Sequence, residues 1–507
     1  MQGFPCLIFI LLCAIILICA IILICVRSVM MRFQKCVDTV FAAFGYIVLT
    51  VAVISLWVYG VELIGLPVIV PGIGLGLGTA LAIWLYTLMG KAERFFAAND
   101  PEKYFRRIML IGAAVLLLFE ILTAVFCEIE KLNDLRYVKT AAENLLMKGP
   151  DYLHEGLPER HSEYFYVYPN NHTILTMIYW MDKLEYTLTG AVRGVVPIVF
   201  NIIGMNLSYI LACKSARLIY SPEKAAVCCI RGLMFTPLIS YAAIYYTDTL
   251  AMPWLTAAVY LYLKQRALPD DDKCRYLLLA GSAVSLGIAF RIKTTPVIFL
   301  IAVVIDMLIR RRPVKKLLTE LAALLCCFAV TALLISTVTQ SILRLDRQKL
   351  EECRFPPVHW VMMSSDGIGN YNVDDFMYTK SFKGYDAKVK ADIDRLGEKL
   401  SEQGVLGMTL HFLNKAAYTW RDAAYMAGYY MTGFFRGPIW HGLSFLFNLT
   451  LLITIQQRFN EAACTDAKAS SKSFVLRLCF VGIAIFLLLW EARSRYLISF
   501  FILYALI

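Results

Sequence analysis

No CxxC pair and no cluster of cysteine with histidine occurs in this chain, so nothing in it has the spacing of a zinc or redox centre. No Walker lysine or βαβ context accompanies Gly367 and Gly369, which excludes a phosphate loop from the turn Ser365-Asp366-Gly367-Ile368-Gly369-Asn370-Tyr371-Asn372. No convincing internal repeat is present, and ionisable residues gather toward one face instead of the mid-membrane, which speaks against a transporter. No positively charged region precedes the apolar stretch 1–25, so a signal peptide fits it poorly. A separate soluble domain and low-complexity linkers are missing as well, except for a polar connection at 461–473.

What the chain has in abundance is apolar surface. Of its 507 residues 59% are hydrophobic, with a mean hydropathy of +0.64, well above that of a soluble globular protein. Runs near membrane-spanning length fall at 1–25, 37–59, 66–90, 107–127, 190–212, 224–246, 249–263, 276–291, 295–310, 317–339, 438–457 and 473–490. A further run, 497–507, is short for a span, and the expectation is a chain truncated at that end. These runs predict an all-α polytopic membrane protein of about 12–13 transmembrane helices. Residues 1–106 hold extra N-terminal helices, 107–312 the core, and 313–507 the C-terminal helices.

The net charge of +11 lies mostly in short loops. Arg27/Arg32/Lys35, Lys91/Arg94/Lys103/Arg106/Arg107, Lys214/Arg217/Lys224, Lys264/Arg266/Lys273, Arg310–Arg312 with Lys315/Lys316, and Arg458/Lys468/Lys472 fall on alternate connections. That is the positive-inside pattern and not a nucleic-acid surface, and it places 128–189 and 340–437 outside. Most cysteines, such as Cys228, Cys229, Cys326 and Cys327, sit inside apolar runs as small hydrophobes. Only Cys127 and Cys353 lie near the outer face, where a disulfide between them is conceivable.

The polar segment Cys127–Gly190 is too long for a simple connector, and long loops of this kind tend to be functional. It contains Asp134, an amphipathic stretch from Tyr137 to Met147, interfacial aromatics from Tyr164 to Tyr168, and Pro169 opening a short helix Asn170–Trp180. Asp248 falls on the same side after Tyr245-Tyr246-Thr247. The positive-inside pattern breaks twice there, at Arg291-Ile292-Lys293 and at Glu491-Ala492-Arg493-Ser494-Arg495-Tyr496. Cations at such positions need a counter-charge or a function, and a lipid phosphate supplies both. Plainer readings stand beside these: Asp134 as a helix cap, Arg291 and Lys293 snorkelling to headgroups, and Arg493 and Arg495 pairing only with Glu491. His172, His359 and His411 read as interfacial polar residues, and Asp374/Asp375 as solvated acids.

Taken together, Asn133-Asp134, Ala141 to Gly149, Tyr168-Pro169-Asn170-Asn171, Ala191-Val192-Arg193 and Thr247-Asp248 resemble the GT-C glycosyltransferases. These include aminoarabinose transferases, protein O-mannosyltransferases and the RgtA/B/C/D-like family. The likeness is one of arrangement, covering roughly 107–312 and the tail motif 491–496. The acidic pair many relatives carry is absent, because Asn133 and Leu135 flank Asp134. The resemblance implies a GT-C-type bundle in the plasma membrane, with a catalytic first outer loop and a second large loop carrying interfacial helices. It implies transfer of a sugar, with inversion, from a polyprenyl-phosphate donor to a cell-surface glycan, lipid or protein. Asp134 and Asp248 are then catalytic, the first as general base. Arg291, Lys293, Arg493 and Arg495 are candidates for the donor phosphate, and Tyr168, Asn170, Asn171 and Arg193 for substrate. No cofactor is required by this reading, although a divalent metal stays open. A lipid-linked glycan flippase and a polysaccharide polymerase or ligase are the alternatives. Arginine-rich outer loops suit the latter equally well.

Overall fold

The computed structural model describes residues 69–507 except 131–133, 270–271, 311–312 and 465–467, plus isolated positions 39, 40, 42, 43, 46 and 50. The apolar stretch 1–25 and most of the run 37–59 lie outside the described residues, as do Asn133, Arg311 and Arg312. The protein is all-α: among the described residues no strand forms, and the bridge Ile129–Met431 stands in isolation. The longer helices are α1 (Ile69–Ala98), α2 (Pro101–Phe126), α3 (Asp134–Met147), α4 (His172–Thr189), α5 (Val195–Ile219), α6 (Pro222–Leu233) and α7 (Thr247–Ala267). They continue with α8 (Cys274–Ile292), α9 (Val297–Ile309), α10 (Val314–Leu343), α11 (Arg347–Cys353), α12 (Pro357–Met363), α13 (Val373–Ser381) and α14 (Tyr385–Arg421). Last come α15 (Pro438–Cys464), α16 (Lys468–Leu489), the 3₁₀ segment Ser494–Phe500 and α17 (Phe501–Leu506).

Among the described residues six helices, α2, α5, α8, α10, α15 and α16, are long and apolar enough to cross a membrane. Their outward faces carry exposed Leu110, Ile111 and Val125 on α2 and Leu333, Leu334 and Val338 on α10. Water would penalise such surfaces, while lipid does not. The helix ends follow from local chemistry. Asp100 caps α2 by accepting from Lys103 N at 3.1 Å, with Pro101 in the first turn where its missing N–H costs nothing. Gly190, at φ 73°, ends α4 in the left-handed region that glycine enters without strain. The buried Glu185 carboxylate then accepts from the backbone N–H groups of Arg193, Gly194, Val195 and Val196 and so starts α5. A carboxylate there satisfies donors that no helix can bond internally and meets the positive end of the dipole.

Two runs differ from their expected form. The run 224–246 is not one span: α6 stops at Leu233, and the chain passes Pro237 in a four-residue turn of helix before an irregular stretch to Tyr246. Phe235, Leu238, Tyr241 and Ile244 of that stretch are buried, so apolar composition there reflects core packing and not a continuous helix. The short helix expected over 170–180 is longer, extending as α4 to Thr189.

The second large loop also departs from a simple outer excursion. Helix α14 is two helices joined at Gly404, whose φ of 60° and ψ of −175° break the helical path. Its second half carries Trp420 to within 5.6 Å, ring to ring, of Phe480 on α16. Phe480 lies about 15 Å along the helix from Trp490, at 1.5 Å per residue. The chain turns there, with Tyr425 against Phe235 and Tyr504, and rises to Met431, which meets Ile129 beside the end of α2. Irregular backbone at such depth is tolerated where protein surrounds it, and Ala423, Ala424, Tyr425 and Ala427 are all buried. Cys127 and Cys353 are free thiols, so the conceivable bridge between them does not form.

Candidate functional site

Four element ends converge at the loop end of the bundle. Asp134 opens α3, Asp248 is the second residue of α7, Lys293 follows the last residue of α8, and Arg495 lies in the 3₁₀ segment. The two carboxylates sit in first turns, where the helix dipole favours negative charge. Arg495 stands between them, with Nη2 3.6 Å from Asp134 Oδ2 and Nε 3.9 Å from Asp248 Oδ2. Its third direction is also used, since Nη1 donates to the Tyr430 hydroxyl at 2.7 Å. The rings of Tyr246, Tyr430 and Tyr496 surround the guanidinium at 5.7, 5.9 and 5.6 Å. Lys293 completes the cluster by pairing with Asp248 Oδ1, with its ammonium 4.6 Å from the centre of the Tyr496 ring. Burial pushes the Lys293 ammonium down from its ordinary range, and Asp248 opposes that shift.

The two acids differ in access. The Asp134 side chain is 40% exposed and that of Asp248 only 4%, so the first can meet a ligand directly while the second is enclosed. A small cleft beside them is lined by Leu135, Tyr241, Ile244, Tyr246, Asp248, Thr249, Tyr430 and Arg495. Among the described residues no group of three or more His, Cys, Asp or Glu side chains is placed to hold a metal ion.

The other sequence candidates are distributed around this centre. Arg493 does not join it: its Nε donates to Glu491 Oε1 at 2.5 Å, and Tyr496 donates to the other oxygen at 2.6 Å. Asn171 is buried and links two site tyrosines, donating to Tyr164 at 2.7 Å and accepting from Tyr246 at 3.4 Å. Tyr168 packs against Tyr164 and Trp360 with ring centres 4.8 and 5.8 Å away. Asn170 is exposed, and Arg193 contributes its backbone to the Glu185 cap while its side chain faces out. Arg291 has a buried Nε with no hydrogen-bond partner among the described residues.

Several supporting residues escaped the sequence reading. Asp422, in the deep turn after α14, accepts from Ser494 Oγ at 2.9 Å and from the backbone of Met426 at 2.7 Å. It thereby ties that turn to the residue preceding Arg495. Lys415 donates to Ser364 O, Ser364 Oγ and Trp490 O at 3.1, 3.1 and 2.8 Å, and Ala492 N donates to Gly369 O at 2.7 Å. The glycine turn is therefore a clamp on the tail motif. Gly369 cannot carry a side chain, since a Cβ there would stand 2.6 Å from Lys415 Cε at a φ of +71°. A signal for Lys415 did exist: His411, Lys415 and Thr419 recur every four residues and so share one face of the half-helix.

Comparison with known proteins identifies a family. A family model described as "conserved hypothetical integral membrane protein" matches residues 148–435, more than half of the chain. No curated protein matches the sequence. The chain belongs to that family of integral membrane proteins. The matched stretch includes Asp248, Arg291 and Lys293 but neither Asp134 nor the tail that carries Arg495.

Proposed function

We propose that this member of the integral membrane protein family is a glycosyltransferase of GT-C type, acting at the outer face of the plasma membrane on a polyprenyl-phosphate-linked sugar. The observation that carries the reading is the meeting of Asp134, Asp248, Lys293 and Arg495 from four distant chain positions at one end of the bundle. Two acids and two cations with unequal exposure suit a reaction that removes a proton on one side and releases an anion on the other.

In the proposed step an acceptor hydroxyl oxygen attacks the anomeric carbon of the donor sugar. Its proton passes to the accessible Asp134 carboxylate. The bond between the anomeric carbon and the phosphate oxygen breaks, that oxygen keeps the electron pair, and attack from the opposite side inverts the configuration. Arg495 and Lys293 are fixed cations in a water-poor setting, where stabilisation of the leaving phosphate is strongest. Asp248, enclosed and paired to Lys293, orients these cations. Arginine's planar fork addresses a phosphate and a carboxylate together, as a single ammonium cannot.

The test is Asp134→Asn in a membrane preparation supplied with a polyprenyl-phosphate sugar pool. Asparagine keeps the shape but accepts no proton, so transfer should fall about 10²–10⁴-fold with protein level unchanged. Unaltered transfer in that variant would remove the base assignment, and if Arg495 variants were then inactive the polymerase or ligase reading would replace it. Absence of sugar consumption by wild type would end the transferase reading.

A further inference from the structure

Beside Asp134 the two large loops build a second feature that the transfer chemistry does not use. Tyr137, one turn further along α3, packs against His161 with ring centres 4.9 Å apart, and His161 lies 6.1 Å from Phe376 on α13. Tyr371 follows on the far side, 6.0 Å from Phe376, and its buried hydroxyl has no hydrogen-bond partner among the described residues. The result is a shelf of rings spanning both loops. Arg160 lies along it, with its guanidinium 6.0 Å from the Phe376 ring and Nη2 3.4 Å from His161 Nε2. Lys380, at the end of α13, donates to Arg160 O at 3.2 Å.

The charge at this rim is unbalanced. Neither Arg160 nor Lys380 forms an ion pair with a described carboxylate, whereas Lys293 and Arg495 of the centre and Arg493 beside it each have one. One unpaired cation over an aromatic face with a second bonded to its backbone, next to an accessible acid, suits a ligand with a ring to stack and an anionic group to bind. The His161 imidazolium is held below its ordinary range by burial first and then by Arg160, with Asp134 pulling the other way and Lys380 adding to the depression. Both cations and the acid therefore act on one ring.

We infer that this shelf is the acceptor subsite and that the acceptor is an anionic saccharide, its sugar ring on Tyr137, His161 and Tyr371 and its carboxylate or phosphate at Arg160 and Lys380. The inference rests on the transferase reading and narrows its acceptor from any glycan, lipid or protein to a charged glycan. The Tyr371 hydroxyl supplies a hydrogen bond that a sugar hydroxyl completes. Asp134 then stands one helical turn from the stacked ring.

The experiment uses the full chain in nanodiscs of zwitterionic phosphatidylcholine and reads binding by calorimetry. Trigalacturonate, its methyl ester, maltotriose and glucose 6-phosphate are the probes. A charged probe should bind about tenfold or more tighter than its neutral counterpart, and Arg160→Ala with Lys380→Ala should erase that preference. Tyr371→Phe should weaken both charged and neutral sugars by a few-fold. Equal binding of charged and neutral probes overturns the inference, as does binding of none. Competition by phosphatidylglycerol added to the discs, lost in the Arg160/Lys380 variant, would assign these cations to a lipid headgroup and overturn it too. The two readings fail separately. Charged-sugar binding retained without any transfer by wild type removes the transferase proposal alone, and transfer without a charge preference removes this inference alone.

Discussion

Asp248→Asn isolates what holds the centre together from what it does. The Asp248 and Lys293 side chains are 4% and 9% exposed, so solvent does little to screen their pairing. Replacing the carboxylate by an amide leaves a buried ammonium without its counter-charge. Breaking a buried pair in this way costs about 3–5 kcal/mol, most of it the penalty of the stranded charge and not the worth of the pair. Lys293→Met should cost a similar amount, because Asp248 is then left with Arg495 at 3.9 Å as its nearest cation.

The double variant Asp248→Asn/Lys293→Met strands neither charge, and the methionine stem replaces much of the lysine's packing. It should recover most of the loss, giving a coupling of about 3 kcal/mol between two residues that touch. The assay is thermal unfolding of the full chain in detergent, followed by tryptophan fluorescence at one scan rate for all four proteins. Additive single effects, with the double variant less stable than either, would refute the argument. Transfer activity should stay low in the double variant even as stability returns, because a phosphate-facing cation is gone. Recovery of both together would make the pair structural only.

Two further outcomes follow from the same geometry. Burial pushes the Lys415 ammonium down to about 7. Its folded form therefore binds fewer protons than the unfolded chain between about pH 7 and the ordinary lysine range near 10.5, and stability should climb with pH across that window. Lys415→Met should flatten the climb, which denaturation midpoints across pH would show; an unchanged slope would place the titration elsewhere. Arg495→Lys keeps the charge but not three directed N–H groups, so transfer should fall nearly as far as in Arg495→Ala, at least tenfold, when measured as kcat/KM for the lipid donor. Near-normal activity of the lysine variant would show that charge alone suffices.

Much of the architecture was readable because membrane helices announce themselves by length and apolarity. Both ends of α8 and α10 fall within four residues of the runs that indicated them, while α2 begins six residues before its run and α15 ends seven residues after its own. The run 224–246 misled for a physical reason: Phe235, Leu238, Tyr241 and Ile244 are apolar because they are buried under other helices, and hydropathy does not separate that from contact with lipid. Pro237 was the available sign of a break. The deep turn after Trp420 left no such trace. It is made by the left-handed backbone of Tyr425 and Met426, which are not residues that favour it, and is held by Asp422, a polar residue that reads as loop.

The candidate centre shows a sharper limit of the same kind. Side assignment from loop charges put Asp134, Asp248, Lys293 and Arg495 on one face, which is as far as periodicity and charge can reach. Their pairing is another matter. Spacing suggested that Glu491 serves both tail arginines, and Arg493 does take it, but the chain then enters a 3₁₀ segment. Residues 491–493 precede that segment without helical structure, Arg493 being extended at φ −147° and ψ 127°, so Arg495 is not held over Glu491 as an α-helix would hold it, and the guanidinium turns instead to two acids hundreds of positions away. Those acids occupy helix first turns, where a negative charge is already favoured before any cation arrives. The cluster thus has two layers of cause. Local helix chemistry sets where the carboxylates stand, and the tail's departure from α-helical geometry, clamped by Lys415, Gly369 and Asp422, delivers the arginine that joins them.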